Sequence, residues 1–498
     1  MELDKNVIPA IHNHTIDILN RREFRFGSPQ ALAVFKKHGF KIVEDIVYFT
    51  GDQVESALAS VPSEVTILAR DPQHDLKLTL DRVAFGLGRG AIYVLDKRGG
   101  HRRSVLADLV AVSKLAQQLP EVQHWQPLVL PGDIPEAHVT MAFTQTMIAY
   151  QTKPDLVAGI KELEMLLLAF GGLDISHARE MAGRGFSYGQ ATVNVMSPLT
   201  LPESDCRALI EFADIGVATQ ITPMPLAGST APCTLLGVVI QQNCEVLAPL
   251  VLSQLINPGC CILYGNMASG SDMRTMGGSF GSPESRLIEL IAGRVAKHYN
   301  LLSRGGIGTT DASFEGFQAG AEALLQAHNA VASGSNLAIG MGFMGGLMAG
   351  SLVKVMLDAE LVNYVRSFNR SIELSAESTA EEIIAGVPFD GNYIVSPHTL
   401  AHCRREHYAP SLFERKTPDA WQAGAHDAFL SNADRKVKEM LAAYVRPEMD
   451  RDLARELKRS FARYLPESLL TDRHSHHSQR QRKKHQVPQI HLGQCRSQ

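Results

Sequence analysis

What the chain lacks narrows its function first. It carries 48 Lys and Arg against 52 Asp and Glu, so neither sign is in excess enough to favour nucleic acid or an anionic membrane surface. Its seven cysteines (Cys206, Cys233, Cys244, Cys260, Cys261, Cys403 and Cys495) form no CxxC pair and no even framework. That excludes a disulfide scaffold and fits reduced, mostly buried thiols. No stretch reaches about 18 uninterrupted apolar residues, and the opening "MELDKNVIPAIHNHTIDILN" has no basic region followed by an apolar one. Neither membrane nor nucleic acid is expected as a partner, and the chain reads as soluble and cytoplasmic. A further absence lies at 310–320, "TDASFEGFQAG". The segment sits between an apolar run and a helix-like stretch, as if placed for chemistry, yet it has no Lys, Cys or His.

What is present is an α/β pattern. The 498 residues fit one α/β barrel with an added layer. Over 1–120, amphipathic helices at about Ile8–Leu19, Pro29–His38 and Gly51–Ala59 are interleaved with strand-like pieces, "KIVEDIVYFT", "EVTILAR" and "RVAFGLGRGAIYVLD", which predicts an N-terminal α+β cap. From 121 to 465, short apolar runs alternate with helical stretches, the signature of consecutive parallel βα units. The runs are "HWQPLVL", "PDLVAGI", "QATVNVM", "VATQITPMP", "CCILYG", "NLLSRGG", "NLAIGMG" and "NYIVS". Eight runs predict a (β/α)8 TIM barrel. Ser282 and Pro283 are an N-cap and first-turn pair for "ESRLIELIAGRVAKHYN", and Pro258-Gly259 ends the helix containing "EVLAPLVLSQLI". Residues 466–498 are basic and carry five histidines, with Arg480, Arg482, Lys483 and Lys484 clustered. They read as a disordered, solvated tail, in preference to an RNA- or metal-binding arm.

Three constellations compete for the chemistry. "GMGFMG" (Gly340 to Gly345) matches G-x-G-x-x-G, with Asp358 and Glu360 downstream where a ribose ligand would stand. A dinucleotide domain places that turn at its first βα unit, however, and this one follows six other runs. The alternative is a tight turn at a barrel strand end. "HTLAHCRREHY" sets His398 and His402 four apart, on one face of a helix, which suits zinc. The glutamate of H-E-x-x-H is missing, and a third ligand would have to be His407 or Glu406. In the third, Asp311 can cap a helix whose first turns present Glu315, Gln318 and Glu322 toward a barrel mouth, or the helix can simply carry a solvated acidic face.

Several longer stretches resemble one family. They are "MPLAGSTAPCTLLGVVIQQNCEVLAPLVLSQLINPGCCILYG" (224–265), "DMRTMGGSFGSPESRLIELIAGRVAKHYNL" (272–301), "TDASFEGFQAGAEA" (310–323) and "HTLAHCRREHYAPSLFERKTPDAWQAGAHD" (398–427). With "ARDPQHDL", "GLGRGAIYVLD" and "GGHRRS" further upstream, they resemble the trimethylamine methyltransferase superfamily of corrinoid-dependent methyltransferases over roughly residues 8–450. The resemblance implies a (β/α)8 barrel that presents a methylammonium substrate to the Co(I) cobamide of a small, separate corrinoid-binding protein docking at the barrel mouth. In the archaeal trimethylamine members a pyrrolysine lies in the motif matching "TDASFEGFQAG", at or beside Gln318. Here every residue is a standard one. That departure points away from trimethylamine and toward quaternary amines such as glycine betaine, proline betaine or carnitine.

Physical chemistry agrees with that direction. A quaternary ammonium leaves as a neutral amine, so the protein need only orient the methyl group, exclude water and hold both partners in line. Gln318, Asp311 and Glu315 are then the expected catalytic residues. A permanent cation is best held by aromatic faces and a carboxylate, for which Tyr93, Tyr264, Phe343 and Tyr393 are the aromatic choices. A substrate carboxylate would fall to His398, His402, Arg404 or Arg89. No bound metal is expected, and a homo-oligomer is. The competing readings are a zinc-dependent methyltransferase or hydrolase using His398 and His402, a non-catalytic betaine-binding protein, and an NAD-dependent oxidoreductase at Gly340 to Gly345.

Overall fold

The computed structural model describes residues 4–22, 24–95, 100–423 and 429–470. Seven parallel strands form a curled sheet whose spatial order is Ala84–Leu87, Leu337–Met341, Ser303–Gly306, Ile262–Gly265, Ala218–Pro223, Gln190–Val195 and Leu156–Val157. Two single-residue parallel bridges, Gly86 to His124 and Trp125 to Asp155, insert an eighth stave between its edges and close the ring. A helix follows every stave, so the architecture is a (β/α)8 barrel.

The number of staves agrees with the sequence reading, but one of its members does not. "NYIVS" is not a strand: it lies in an exposed turn between short helices, with Ile394 and Val395 open to solvent. The true first stave, Ala84–Leu87, comes from "RVAFGLGRGAIYVLD", inside the segment assigned to the cap, so the sheet begins well before 121. That stave was hard to see because it is short and partly glycine, and a hairpin of Tyr93–Leu95 with His101–Arg103 follows it directly. At the other end, residues 466–470 finish the fold with a 3-10 turn and a buried Leu470. The remainder of the expected tail, 471–498, lies outside the described residues.

Three added layers surround the barrel. Val65–Leu68, Leu76–Leu78 and Phe186–Tyr188 form a small sheet under the N-terminal ends of the staves. There Val65, Ile67, Leu76 and Leu78 pack with Ala84, Ala218, Leu263 and Leu337 and seal the floor. At the opposite, C-terminal end, the Tyr93 hairpin pairs with Ala349–Gly350 and builds part of the mouth wall. The N-terminal helices Val7–Arg21, Pro29–Lys37 and Gly51–Ser60 lie instead along the flank, against the helix Leu235–Ile256.

That flank helix explains the longest apolar stretch of the chain. By length and composition it is the one helix among the described residues that could cross a membrane, yet most of it is buried inside the protein. It is apolar all round because neighbours surround it on every side. Its polar groups are used internally: Asn243 Nδ2 donates to Thr15 Oγ1 and to Tyr299 Oη, both at 2.9 Å. Buried Glu245 accepts from Ser197 Oγ at 2.7 Å and Leu199 N at 3.0 Å, and burial raises its pKa above the usual carboxylate range.

Candidate functional site

With the floor sealed, the interior opens only at the mouth, where the loops after the staves converge. The loop after the seventh stave contains "TDASFEGFQAG", and two carboxylates tie it down. Asp311 accepts from Ser279 Oγ (3.1 Å), Phe280 N (3.0 Å) and Gly281 N (2.8 Å), which fixes the loop that precedes the helix Pro283–His298. Glu322, on the helix Phe317–Ser333, accepts from Thr310 Oγ1 (2.5 Å), Asp311 N (2.8 Å) and Gln318 Nε2 (2.7 Å). Asp311 is therefore a clamp between loops, while Gln318 is exposed at the mouth and oriented by Glu322. Glu315 accepts from Ser351 Oγ and lines a side cleft with Arg102 and Asp108.

Beside these loops lies a narrow cavity of about 20 Å³ lined by Phe280, Glu289, Arg304, Thr309, Ile339 and Phe343, among others. The lining contains no Lys, Cys, His or Ser. Glu289 is buried and neutralised by Arg286 at 2.6 Å. Arg304 donates to Asn266 O at 3.2 Å, and its Nε has no partner among the described residues. Burial lowers its pKa to about 10, with Glu289 opposing the shift. Phe343 lies flat against Gly88 at the end of the first stave, where any β-carbon would meet the ring at 2.5 Å.

Cross-strand register shows which side chains point into the barrel. Ala218, Leu263 and Leu337 belong to the floor cluster, so their lateral partners Gln190, Gln220 and Arg304 face the interior too. Alternation adds Thr192 and Thr222, and Gln220 Nε2 donates to Thr192 Oγ1 at 2.5 Å. Gln190 Oε1, Gln220 Oε1, Thr222 Oγ1 and both ring nitrogens of His124 are buried without a partner among the described residues. Burial lowers the His124 pKa to about 3. Buried polar atoms left open in this way are the mark of a well that takes a polar occupant or water. The sequence reading passed over these residues, although polar side chains inside otherwise apolar strand runs, "QATVNVM" and "VATQITPMP", were the available signal.

The structure gathers Tyr93, Asp311, Glu315, Gln318, Phe343 and Arg89 at the mouth. Tyr93 packs with Ala312, Ala319 and Met344, and the Arg103 guanidinium lies 5.2 Å above its ring. Arg89 stays open to solvent, yet surrounding protein lowers its pKa by desolvation, opposed by Asp155. Asp155 itself is buried and shifted well above the usual range by desolvation, opposed by the Leu156 N–H and by Arg89 and Arg70.

Other expectations are corrected. Tyr264 is fully buried and faces away from the interior, because its neighbour Leu263 occupies the inward position. Tyr393, His398, His402 and Arg404 follow the helix Leu352–Phe368, which runs from the mouth back toward the floor end, and the two histidines lie with Arg370 and Glu377 past its end. The His398 and His402 ring centres lie 4.4 Å apart with the planes tilted by 34°; His402 Nε2 meets Glu377 Oε1 at 3.0 Å and His398 Nε2 the Glu377 carbonyl at 3.2 Å. Among the described residues no three His, Cys, Asp or Glu groups converge on a metal position. The glycine-rich turn is structural. Gly340 and Gly342 have φ of +145° and +92°, and a β-carbon on Gly340 would come within 2.4 Å of Ile307 O. Asp358 accepts from Gly342 N at 2.8 Å and pairs with Lys354. Glu360 binds Tyr408 Oη and Ser411, so neither acid is free for a ribose.

Around the mouth stands an exposed apolar rim. Met196, Met224, Met273, Met276, Phe314, Phe317 and Met348 follow the fourth to eighth staves, and Phe317 is 94 % exposed. Large exposed side chains collected at one end of a barrel mark an interaction face.

Comparison with known proteins gives a consistent result. The trimethylamine methyltransferase (MTTB) family model matches residues 1–467. Glycine betaine methyltransferase of Desulfitobacterium hafniense is 29 % identical over 92 % of this chain and 95 % of its own. Proline betaine:corrinoid methyltransferase of Eubacterium limosum is 27 % identical over 92 % and 96 %. Among solved structures, monomethylamine methyltransferase (MtmB) of Methanosarcina barkeri superimposes with a TM-score of 0.50 at 12 % identity, covering 88 % of each chain, a likeness of fold alone.

Proposed function

The chain belongs to the trimethylamine methyltransferase family, and from that premise we propose that it transfers a methyl group from a betaine-type quaternary amine to the Co(I) of a cobamide carried by a separate corrinoid protein. The relatives named as glycine betaine and proline betaine:corrinoid methyltransferases support this donor and acceptor. The N–CH3 bond breaks with its electron pair remaining on nitrogen, which leaves as a neutral tertiary amine. The cobalt supplies the electron pair for the new bond to carbon.

The observation that carries the reading is the lining of the mouth cavity. It offers two aromatic rings, Phe280 and Phe343, with buried Glu289 and Arg304, and no Lys, Cys, His or Ser. A substrate already cationic at nitrogen needs no covalent activation, so a site without such a nucleophile suffices. The rings suit the ammonium end, and Arg304, whose Nε has no partner among the described residues, suits a carboxylate end. Gln318, Asp311 and Glu315 shape the loops through which the acceptor approaches. The methionine and phenylalanine rim is the face on which the corrinoid protein docks, since the floor is sealed and the walls are helices.

A visible-spectrum assay of cob(I)alamin methylation, run with several betaines and with trimethylamine, tests the proposal. Turnover with a quaternary amine and none with trimethylamine is expected. Turnover with trimethylamine alone would sink it, as would tight betaine binding without any methylation of cobalamin.

A further inference from the structure

The segment 371–406 leaves the barrel after the helix Leu352–Phe368 and supplies no residue to the mouth cavity described above. It forms three short helices, Ala376–Thr379, Glu381–Gly386 and Pro397–Glu406, and none contains a buried residue. Its polar ties close on themselves. Arg370, at its base, donates to the carbonyls of Arg405 (3.0 Å) and Glu406 (2.6 Å), and Glu377 holds His398 and His402. Its large apolar side chains point outward: Ile372 and Leu374 are each 90 % exposed, and Phe389, Ile394, Val395 and Leu400 are also open to solvent. None of them joins a core cluster.

An arm built this way has no core of its own, and helices this short are not stable alone in water. Its order depends on a surface that is present whenever the protein is folded. With Phe368 at its base, the arm exposes on the order of 1,000 Å² of apolar side chain, against the roughly 800 Å² that each partner brings to a standard interface. A solitary soluble chain rarely leaves more than a few hundred Å² exposed in one patch.

Position and composition narrow the occupant. Arg366 Nη2 donates to Gln123 Oε1 at 2.8 Å, beside the start of the second stave, so the arm springs from the floor end of the barrel. A partner docked at the mouth does not cover it. Residues 471–498 are basic, with Val487, Ile490 and Leu492 as their large aliphatic side chains, too few to match the arm. We propose that residues 368–400 form an interface between two copies of this chain, each arm covering the apolar side chains of the other about a twofold axis.

Light-scattering mass of the full chain at micromolar concentration tests this independently of any activity. The unaltered protein is expected at a multiple of the single-chain mass. The pairs Phe389→Asp with Ile394→Asp, and Ile372→Asp with Leu374→Asp, are expected to weaken self-association by at least ~30-fold, with circular dichroism and methyl transfer unchanged. If the charged pairs fail to fold, Phe389→Ala with Ile394→Ala reads the same equilibrium, with an expected loss of at least ~10-fold. An unaltered protein that is monomeric overturns the proposal, and so does a folded variant that associates as tightly as its parent. A mass increase seen only on adding the corrinoid protein, or only after residues 471–498 are removed, assigns the arm to another occupant and overturns it equally.

Discussion

Asp311→Asn separates a clamp from a chemical participant. The Asp311 carboxylate accepts from Ser279 Oγ, Phe280 N and Gly281 N at 2.8–3.1 Å. An amide offers one oxygen and one NH2, so at least one backbone N–H then faces a donor, and the remaining contacts lose the negative charge. Hydrogen bonds to a buried carboxylate contribute about 1.5–3 kcal/mol each. Asp311 is only partly buried, so about 1 kcal/mol per contact is the working figure, or ~2 kcal/mol for the loop. That corresponds to roughly 30-fold in the opening equilibrium of residues 279–281. Amide hydrogen exchange at Phe280 and Gly281 should therefore accelerate by about 30-fold. Because Phe280 lines the cavity, kcat/KM for the amine should fall by ~10- to 30-fold with little change in Tm. Loss of activity with unchanged exchange at both amides would show that Asp311 acts on the substrate directly and would refute the clamp; unchanged exchange and unchanged kcat/KM would remove Asp311 from the site.

Gln318→Ala should leave the melting temperature intact and reduce turnover at least ~10-fold, the scale of one positioning contact; unchanged turnover would put Gln318 outside the site. Phe317→Asp should raise the KM for the corrinoid protein several-fold while leaving the reaction with free cob(I)alamin unaltered, and equal effects on both acceptors would contradict the rim as a docking face. Lys153 is buried with its Nζ donating to the carbonyls of Ala116, Leu119 and Val122 at 2.6–2.7 Å, and burial lowers its pKa to about 7, with Glu121 opposing. Between about 7 and the unfolded value of 10.5 the unfolded chain holds this proton and the folded one does not, so stability should rise with pH across that window relative to Lys153→Met. Thermal midpoints of the two proteins that run parallel from pH 6 to 10 would refute the shift.

Much of the barrel was legible because buried parallel staves read as apolar runs between punctuated helices, and Ser282-Pro283 marks its helix start in both sequence and structure. The failures share a physical cause. "NYIVS" has the composition of a buried strand but lies in the exposed arm, where apolar residues serve a surface, and periodicity cannot tell a core from an interface. Ala84–Leu87 is short and partly glycine, so its role rests on pairing with Leu337–Met341, a contact more than 200 residues distant in the chain that local pattern does not encode. The site divided in the same way. Residues clustered in sequence at 310–322 were found together, whereas Glu289, Arg304 and Gln220 come from separate staves and helices and meet only through barrel closure. Tyr264 was placed wrongly because strand alternation fixes its direction only once a neighbour is known to face inward.

The flank helix Leu235–Ile256 ties the order of synthesis to the safety of the fold. Released bare, a segment this apolar would invite aggregation or a lipid surface. The helices Val7–Arg21, Pro29–Lys37 and Gly51–Ser60 that pack along it leave the ribosome nearly two hundred residues earlier. Its cover is therefore synthesised before it emerges, and moving that layer to the C-terminus by circular permutation is expected to lower the soluble yield while keeping the contacts of the finished fold.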